Sequence, residues 1–207
     1  MYSHSKEVVR SGIPLKEAKK VLIMLHGRGS SAENIISLTD HLKVNDAAIL
    51  APQATNHSWY PYSFMAPVNE NQPALDSALK ILEELVEEIE AQDKSSRQIY
   101  FLGFSQGACL ALEYVARHAK AYGGVIAFTG GLVGETLNKE NYSGDFQNTP
   151  ILITTGDPDP HVPLIRVEDS VKILQKLNAK IELKVYEGRV HTIQMEEIEL
   201  GNELLNS

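Results

Sequence analysis

Short apolar runs recur along the chain and are separated by segments with helical periodicity. Several runs are apolar at every position rather than at alternate positions, which is typical of parallel strands covered on both faces. We predict six strands from them, over Val21–Leu25, Ala47–Pro52, Gln98–Leu102, Gly123–Phe128, Pro150–Thr155 and Ile181–Tyr186. The segments between most of these runs are long enough for helical crossovers, so consecutive strands can lie parallel.

The helical segments show where the core should lie. The clearest one has an apolar stripe at helical spacing and glutamates on the remaining face. The stripe comprises Leu75, Leu79, Leu82, Val86 and Ile89, and the glutamates are Glu83, Glu84, Glu87, Glu88 and Glu90. We interpret the stripe as core and the glutamates as a solvated surface. An earlier helix is predicted to begin at a capping box formed by Ser30 and Glu33.

The alternation of strands and helices predicts an α/β fold with a mostly parallel, doubly wound sheet, and residues 1–207 are expected to form a single domain. In such sheets ligands bind at the carboxyl ends of the strands. Two irregular stretches, Gln53–Gln72 and Thr129–Thr149, are long enough to be functional. We expect them to bound a shallow, open pocket in a minimal fold without a large lid domain.

Composition and charge exclude several classes of partner. The 207 residues carry a formal charge of -8, which argues against nucleic acid and against an anionic membrane surface, since both attract clustered Lys and Arg. No stretch approaches the roughly 20 apolar residues of a membrane helix, so integral membrane association is not expected. A single cysteine, Cys109, excludes an intramolecular disulfide and a four-cysteine zinc site. Together with a polar amino terminus, these features favour a cytoplasmic location.

The segment Gly103-Phe-Ser-Gln-Gly107 follows a predicted strand and precedes a predicted helix. A sharp strand-to-helix turn that exposes a nucleophile needs small residues on either side of it, and Gly103 and Gly107 meet that need around Ser105. In the alternative interpretation Ser105 only caps the helix and the glycines mark a tight turn. A serine hydroxyl is also a poor nucleophile until a base takes its proton, so the turn is informative only with its partners.

A base and an acid follow later strands. His191 comes just after the last predicted strand, where its imidazole can reach the carboxyl edge of the sheet. Asp157 and Asp159 both follow the strand before it, and either could orient the imidazole. One aspartate can instead cap the helix that begins near Val162; we assign that role to Asp157, which leaves Asp159 for the triad. The order Ser105, Asp159, His191 is the order found in α/β-hydrolases.

Two backbone N–H groups are expected to bind the oxyanion that forms on the substrate carbonyl. One belongs to Gln106, which follows the nucleophile. The second is expected from the loop after the first predicted strand, where Gly27 and Gly29 flank Arg28. His26 invites a metal interpretation, but no second ligand stands at a suitable spacing, and we expect it to brace the loop. No metal and no cofactor are expected.

The blocks "LIMLHGRGSSAENI", "GFSQGACLALEY", "GDPDPHVP" and "YEGRVH" resemble the bacterial phospholipase/carboxylesterase group, which is related to acyl-protein thioesterases and lysophospholipases. The resemblance spans residues 21–191. It implies an α/β-hydrolase fold, with Ser105 as nucleophile, Asp159 and His191 as its partners, and Arg28 and Gln106 as the oxyanion donors. Arg28 departs from that group, where an apolar residue is usual, and suggests affinity for an anionic substrate.

The loop around Trp59, Tyr60 and Phe64 is more aromatic than the resemblance leads one to expect. With Arg28, these side chains are our predicted substrate-binding residues; equally open alternatives are a packed core beneath the loop and a contact in a homodimer. The predicted function is hydrolysis of small-molecule carboxylic esters with short- to medium-chain acyl or aryl groups, through an acyl-enzyme. Thioesters would suit the same site. The alternatives are a non-catalytic binding or receptor protein and a hydrolase of lactones or C–C bonds.

Overall fold

The computed structural model describes residues 3–206, which contain one seven-stranded sheet. The strands are β1 (Val8–Gly12), β2 (Lys20–Leu25), β3 (Ala47–Pro52), β4 (Ile99–Phe104), β5 (Gly124–Phe128), β6 (Pro150–Asp157) and β7 (Lys180–Glu187). Their spatial order is β1-β3-β2-β4-β5-β6-β7. Only β1 is antiparallel to its neighbour, so the predicted, mostly parallel sheet is confirmed.

Within residues 3–206, six α-helices connect or follow the strands. They are α1 (Ala32–Ile36), α2 (Val68–Asn71), α3 (Ala74–Glu90), α4 (Gln106–Arg117), α5 (Leu164–Lys176) and α6 (Met195–Leu205). Short 3-10 helices lie at Ser37–Asp40, Thr55–His57, Ser96–Gln98 and Lys139–Asn141. No helix within residues 3–206 combines the length and apolarity that a bilayer crossing requires.

The sheet is covered on both faces, as its continuously apolar strands predict. In β2, Val21 and Ile23 contribute to the core on one face, while Leu22 and Met24 contribute to the core on the other. Helices α3, α4 and α5 pack on the first face, and α1 and α6 pack on the second. Each fully buried side chain of this kind stabilises the fold by about 1.5–3 kcal/mol relative to exposure.

Two local features differ from the sequence prediction. Strand β1 was not predicted, because only Val8 and Val9 are partly buried and the rest of the strand is exposed. The N-cap of α1 is Ser31 rather than Ser30: the Ser31 hydroxyl accepts the N–H of Asn34 at 3.2 Å. The Ser30 hydroxyl lies 2.9 Å from the Asn34 side chain instead, so the N-cap lies one residue later than predicted.

The parallel strands bring their carboxyl ends to one edge of the sheet. Ser105 follows β4, Asp159 follows β6 and His191 follows β7. Strands β4, β5, β6 and β7 are neighbours in that order, so the loops that carry these side chains lie close together. The long stretch between β3 and α3 contains α2 and lies near the same edge, where residues 60–65 border a cavity.

Candidate active site

Ser105 occupies a strained turn between β4 and α4. Its backbone has φ 53° and ψ -118°, a conformation that residues other than glycine rarely adopt. A Cβ atom on Gly103 would lie 2.5 Å from the carbonyl of Gly107. A Cβ atom on Gly107 would lie 2.1 Å from the carbonyl oxygen of Leu25, so both positions require glycine. The turn is also tied to the next strand, because the Ser105 N–H donates to the Phe128 carbonyl at 3.0 Å.

A continuous hydrogen-bonded relay joins the three side chains. His191 Nε2 lies 2.8 Å from Ser105 Oγ, and His191 Nδ1 lies 2.8 Å from Asp159 Oδ2. An ionised carboxylate only accepts hydrogen bonds, so the imidazole proton belongs on Nδ1. The unprotonated Nε2 then accepts the serine hydroxyl, which is the arrangement a general base needs.

Asp159 holds His191 and also ties down its own loop, whereas the helix-capping role predicted for Asp157 is wrong: α5 begins at Leu164, after Pro163, and no described side chain caps it. Its Oδ1 accepts the backbone N–H groups of His161 and Val162 at 2.8 and 2.9 Å, while Oδ2 holds His191. Asp159 is buried, whereas Asp157 is exposed at the end of β6. Burial alone would raise the pKa of Asp159, but the hydrogen bonds from His191 and the two N–H groups lower it below its ordinary value. The carboxylate therefore stays ionised at neutral pH.

The imidazole of His191 is held between two rings. Its centroid lies 5.2 Å from that of Phe104 and 4.9 Å from that of His161, which meets it edge-on. The side chain keeps 20 % of its surface exposed, so it can exchange a proton with a molecule in the cavity. His161 was not anticipated from the sequence, and it could have been found only by its place two residues after Asp159.

The two expected oxyanion donors border the same cavity as Ser105. Gln106 is the first residue of α4, and Arg28 lies in the loop after β2. Among residues 3–206, neither of their backbone N–H groups donates to a protein acceptor. The N–H of Gln106 is one of those that every helix leaves free at its first turn, where the helix dipole also favours negative charge. Within the described residues, both N–H groups therefore lack a competing protein acceptor.

The side chain of Gln106 holds the aromatic loop, by which we mean residues 58–65. Its Oε1 accepts the Trp59 N–H at 2.9 Å, and its Nε2 donates to the Tyr60 carbonyl at 2.8 Å. Gln106 is only 5 % exposed, so these bonds are largely shielded from water. The residue after the nucleophile thus positions one wall of the cavity as well as offering an N–H group.

The guanidinium of Arg28 also holds the aromatic loop. It donates to the Pro61 carbonyl at 2.8 Å, to the Tyr62 carbonyl at 2.6 Å and to the Ser58 hydroxyl at 2.9 Å. It also lies 5.9 Å from the centre of the Tyr60 ring. The charge expected to attract an anionic substrate is thus engaged with loop carbonyls in this structure.

A cavity of about 690 Å³ opens beside Ser105 and His191. Its other lining residues are Arg28, Tyr60, Pro61, Tyr62, Ser63, Phe64, Met65, Gln106, Cys109, Pro160, His161 and Val162. Tyr60 and Phe64, predicted from the sequence, are among them. Trp59 is not: it is fully buried, and its indole N–H donates to the His26 carbonyl at 2.9 Å.

The boundary of the cavity differs from the sequence expectation in one respect. We expected both long irregular stretches to border it, but only the first one does. The second stretch begins with a buried segment over residues 129–134, packed against the helices α4 and α5. The N–H of Gly131, for example, lies 3.4 Å from the Cys109 sulfur.

His26 braces the loop that carries Arg28, as its position after β2 suggested. Its Nδ1 lies 2.7 Å from the Gly27 carbonyl, and its Nε2 accepts the Ala54 N–H at 3.1 Å. Burial lowers the pKa of His26, which favours the neutral ring that these contacts require. Within the described part of the chain, no three His, Cys, Asp or Glu side chains are grouped so that they could hold a metal ion.

Comparisons with known proteins show which proteins this chain is similar to. A crystal structure of a phospholipase/carboxylesterase from Dyadobacter fermentans is 59% identical, with a TM-score of 0.98 over 100% of this chain and 99% of that one. Acyl-protein thioesterase 1 of Kluyveromyces lactis is 26% identical over 214 residues, which cover 92% of each protein. A carboxylesterase from Bacillus cereus is 19% identical with a TM-score of 0.79, over 97% of this chain and 93% of that one, and shares the fold.

The family assignment rests on nearly the whole chain rather than on the serine motif alone. The sequence profile of phospholipases and carboxylesterases matches residues 5–206, from before β1 to the end of α6. The fold is therefore that of the α/β-hydrolases, and the activity is hydrolysis of esters. This protein belongs to the phospholipase/carboxylesterase family.

Proposed function

We propose that this protein hydrolyses carboxylic esters through a covalent acyl-enzyme on Ser105. The observation that carries the proposal is the unbroken relay of 2.8 Å contacts from Ser105 Oγ through His191 to Asp159. His191 takes the hydroxyl proton as Ser105 Oγ attacks the ester carbonyl. The same proton then passes to the leaving alkoxide, which departs as the alcohol when the tetrahedral intermediate collapses.

Water completes the reaction by the reverse sequence of proton transfers. His191 removes a proton from water, the hydroxide attacks the acyl carbonyl, and the proton returns to Ser105 Oγ as the carboxylic acid is released. We assign stabilisation of the oxyanion in both steps to the N–H groups of Arg28 and Gln106, which border the cavity beside Ser105. In other enzymes the loss of one such donor lowers kcat by about 10²–10³-fold.

The cavity supports a substrate with a modest acyl or aryl group. Its aromatic wall is formed by Tyr60, Tyr62 and Phe64, and its volume of about 690 Å³ is within the usual range for small-molecule sites. Thioesters have the same carbonyl and a better leaving group, so they belong in the same proposal. A cytoplasmic location and a homodimer stay predictions from the sequence.

The alternative of a binding protein that has kept the fold without turnover is disfavoured by the family assignment. The relay argues against it, because a strained serine and an oriented imidazole have no evident use in binding alone. A lactone is a cyclic ester that the same relay would open, so lactonase activity is the second candidate.

Labelling with a fluorophosphonate probe tests the proposal directly. We expect modification of Ser105 in the wild type, located by peptide mass mapping, and turnover of p-nitrophenyl acetate and octanoate. Ser105→Ala should lose both, and His191→Ala should react far more slowly, because the serine then lacks its base. A folded wild-type protein that neither labels nor turns over esters and lactones would support the binding-protein alternative.

A further inference from the structure

Arg189 is a charged side chain in the interior, two residues before His191. It lies in the loop between β7 and α6, and only 1 % of its side-chain surface is exposed. Its guanidinium donates to the Thr129 hydroxyl at 2.6 Å and also to the Thr192 carbonyl. The contact with Thr129 thus reaches the end of β5, and the contact with Thr192 holds the loop just after His191.

Glu197 is the carboxylate that faces this charge. Its side chain is fully buried in the first turn of α6, with Oε2 at 3.3 Å from Arg189 Nη1. The same Oε2 accepts the backbone N–H of Gln194 at 2.8 Å, and Oε1 accepts the Thr154 hydroxyl of β6. Burying such a pair stabilises a fold little, because desolvation offsets the attraction between the charges. The pair is therefore better explained by the loops and strands that it holds in place than by its contribution to stability.

The pair joins the structural elements that carry the whole relay. Thr129 follows Phe128, whose carbonyl accepts the N–H of Ser105, and Thr154 lies in β6, which leads to Asp159. The backbone of Arg189 also packs directly on β6, since a Cβ atom on Gly156 would lie 2.5 Å from the Arg189 carbonyl oxygen.

We propose that the buried Arg189–Glu197 pair is a positioning device that sets the place of His191 relative to Ser105 and Asp159. The inference rests on the proposed function, because that function makes His191 the catalytic base that the pair positions. Neither member of the pair lines the cavity, so both act through His191 and not on substrate. The planar fork of Arg189 reaches Thr129, Thr192 and Glu197 together, which a lysine ammonium on a flexible stem does not do.

Arg189→Lys is the informative substitution, because it keeps a positive charge beside Glu197 and so limits the loss of stability. We expect kcat to fall about 10²-fold, the scale for a misplacement of about 1 Å in a catalytic group, while KM stays unchanged. Arg117→Lys is the matched control. Arg117 pairs with the buried carboxylate of Glu113 at 2.7 Å, at the far end of α4 from Ser105, and this change should leave kcat as it is.

A double variant separates positioning from stability. Arg189→Met with Glu197→Leu leaves no unpaired charge in the interior, and such replacements often preserve or raise stability. If the pair positions His191, this variant should fold and still turn over slowly, with a melting temperature somewhat lowered because the Thr154 hydroxyl and the Gln194 N–H lose their acceptor. Wild-type kcat in the double variant, or in Arg189→Lys, would overturn the inference.

Proton NMR gives a readout that does not depend on turnover. The proton between His191 Nδ1 and Asp159 should produce a far-downfield resonance in the wild type. We expect Arg189→Lys to shift or broaden it and Arg117→Lys to leave it in place. An unchanged resonance in Arg189→Lys would overturn the positioning role. If the wild type shows this resonance but is neither labelled by the fluorophosphonate nor able to turn over esters, the proposed function is refuted. The change of the resonance in Arg189→Lys would still decide whether Arg189 positions His191.

Discussion

Ser105 and Cys109 lie one helical turn apart and border the same cavity, yet their surroundings give them opposite chemistry. A thiolate is intrinsically the stronger nucleophile, but burial raises the pKa of Cys109 to about 12, so its thiol stays protonated. Ser105 is partly exposed and has His191 Nε2 at 2.8 Å. A base within hydrogen-bond reach, more than the type of the nucleophilic atom, therefore decides which side chain can react.

Removing the support of that base should produce the largest effect. Asp159→Asn would present an amide N–H₂ to His191 Nδ1, which favours the wrong tautomer for accepting the serine proton. In a related triad the same change lowers kcat by about 10⁴-fold, and we expect a similar loss in p-nitrophenyl acetate turnover. Asp157→Asn is the control and should retain wild-type kcat, since Asp157 is exposed and the relay runs through Asp159. Equal losses in both variants would show that Asp159 is not the specific partner of His191.

Loosening the aromatic loop, which forms one wall of the cavity beside Ser105, should have an intermediate effect on activity. Arg28→Ala keeps the backbone N–H but removes the contacts to the carbonyls of Pro61 and Tyr62. We expect kcat/KM to fall about tenfold, equivalent to about 1.4 kcal/mol of transition-state stabilisation. The loss should be equal for matched neutral and carboxylate esters. A loss confined to carboxylate esters would show instead that Arg28 recognises an anionic group, as its departure from the family pattern first suggested.

Changes at Cys109 should have the smallest effect. Cys109→Ala should leave kcat unchanged, because the relay does not pass through the sulfur. With a pKa of about 12, about 10⁻⁴ of the thiol is ionised at pH 8, so iodoacetamide should label the folded protein very slowly. The labelling rate should rise with pH towards the pKa, and at pH 8 it should rise sharply in denaturant. Fast labelling of the native protein, with loss of activity, would reverse the ranking of the two nucleophiles.

Most of the sheet was predictable because buried parallel strands are apolar at nearly every position. A run such as Ala47–Pro52 is apolar throughout, and the structure buries all of it. Strand β1 has no such mark: it lies at the edge of the sheet and pairs through its backbone with β3, so its side chains need not be apolar. Pairing of this kind depends on the partner strand and can hardly be inferred from the strand itself.

In the candidate site, too, some features could be predicted from the sequence and others could not. The positions of Ser105, Asp159 and His191 were predictable because the required chemistry restricts residue type, chain order and placement after strands. The side-chain contacts of Gln106 and Arg28 were not, because their partners lie 30 to 48 residues away in sequence. The aromatic loop shows the limit most clearly. Trp59 is fully buried and Tyr62 is 57% exposed, although both are large aromatic residues in one short segment.

The antiparallel strand β1 has a consequence for handling the protein. It covers the outer edge of β3, whose six residues are all buried and apolar. Without β1, β3 would present a row of unpaired backbone groups beside an apolar surface, which is a template for edge-to-edge aggregation. A shortened version that begins after residue 12 would therefore be prone to precipitate even though Ser105, Asp159 and His191 are all retained.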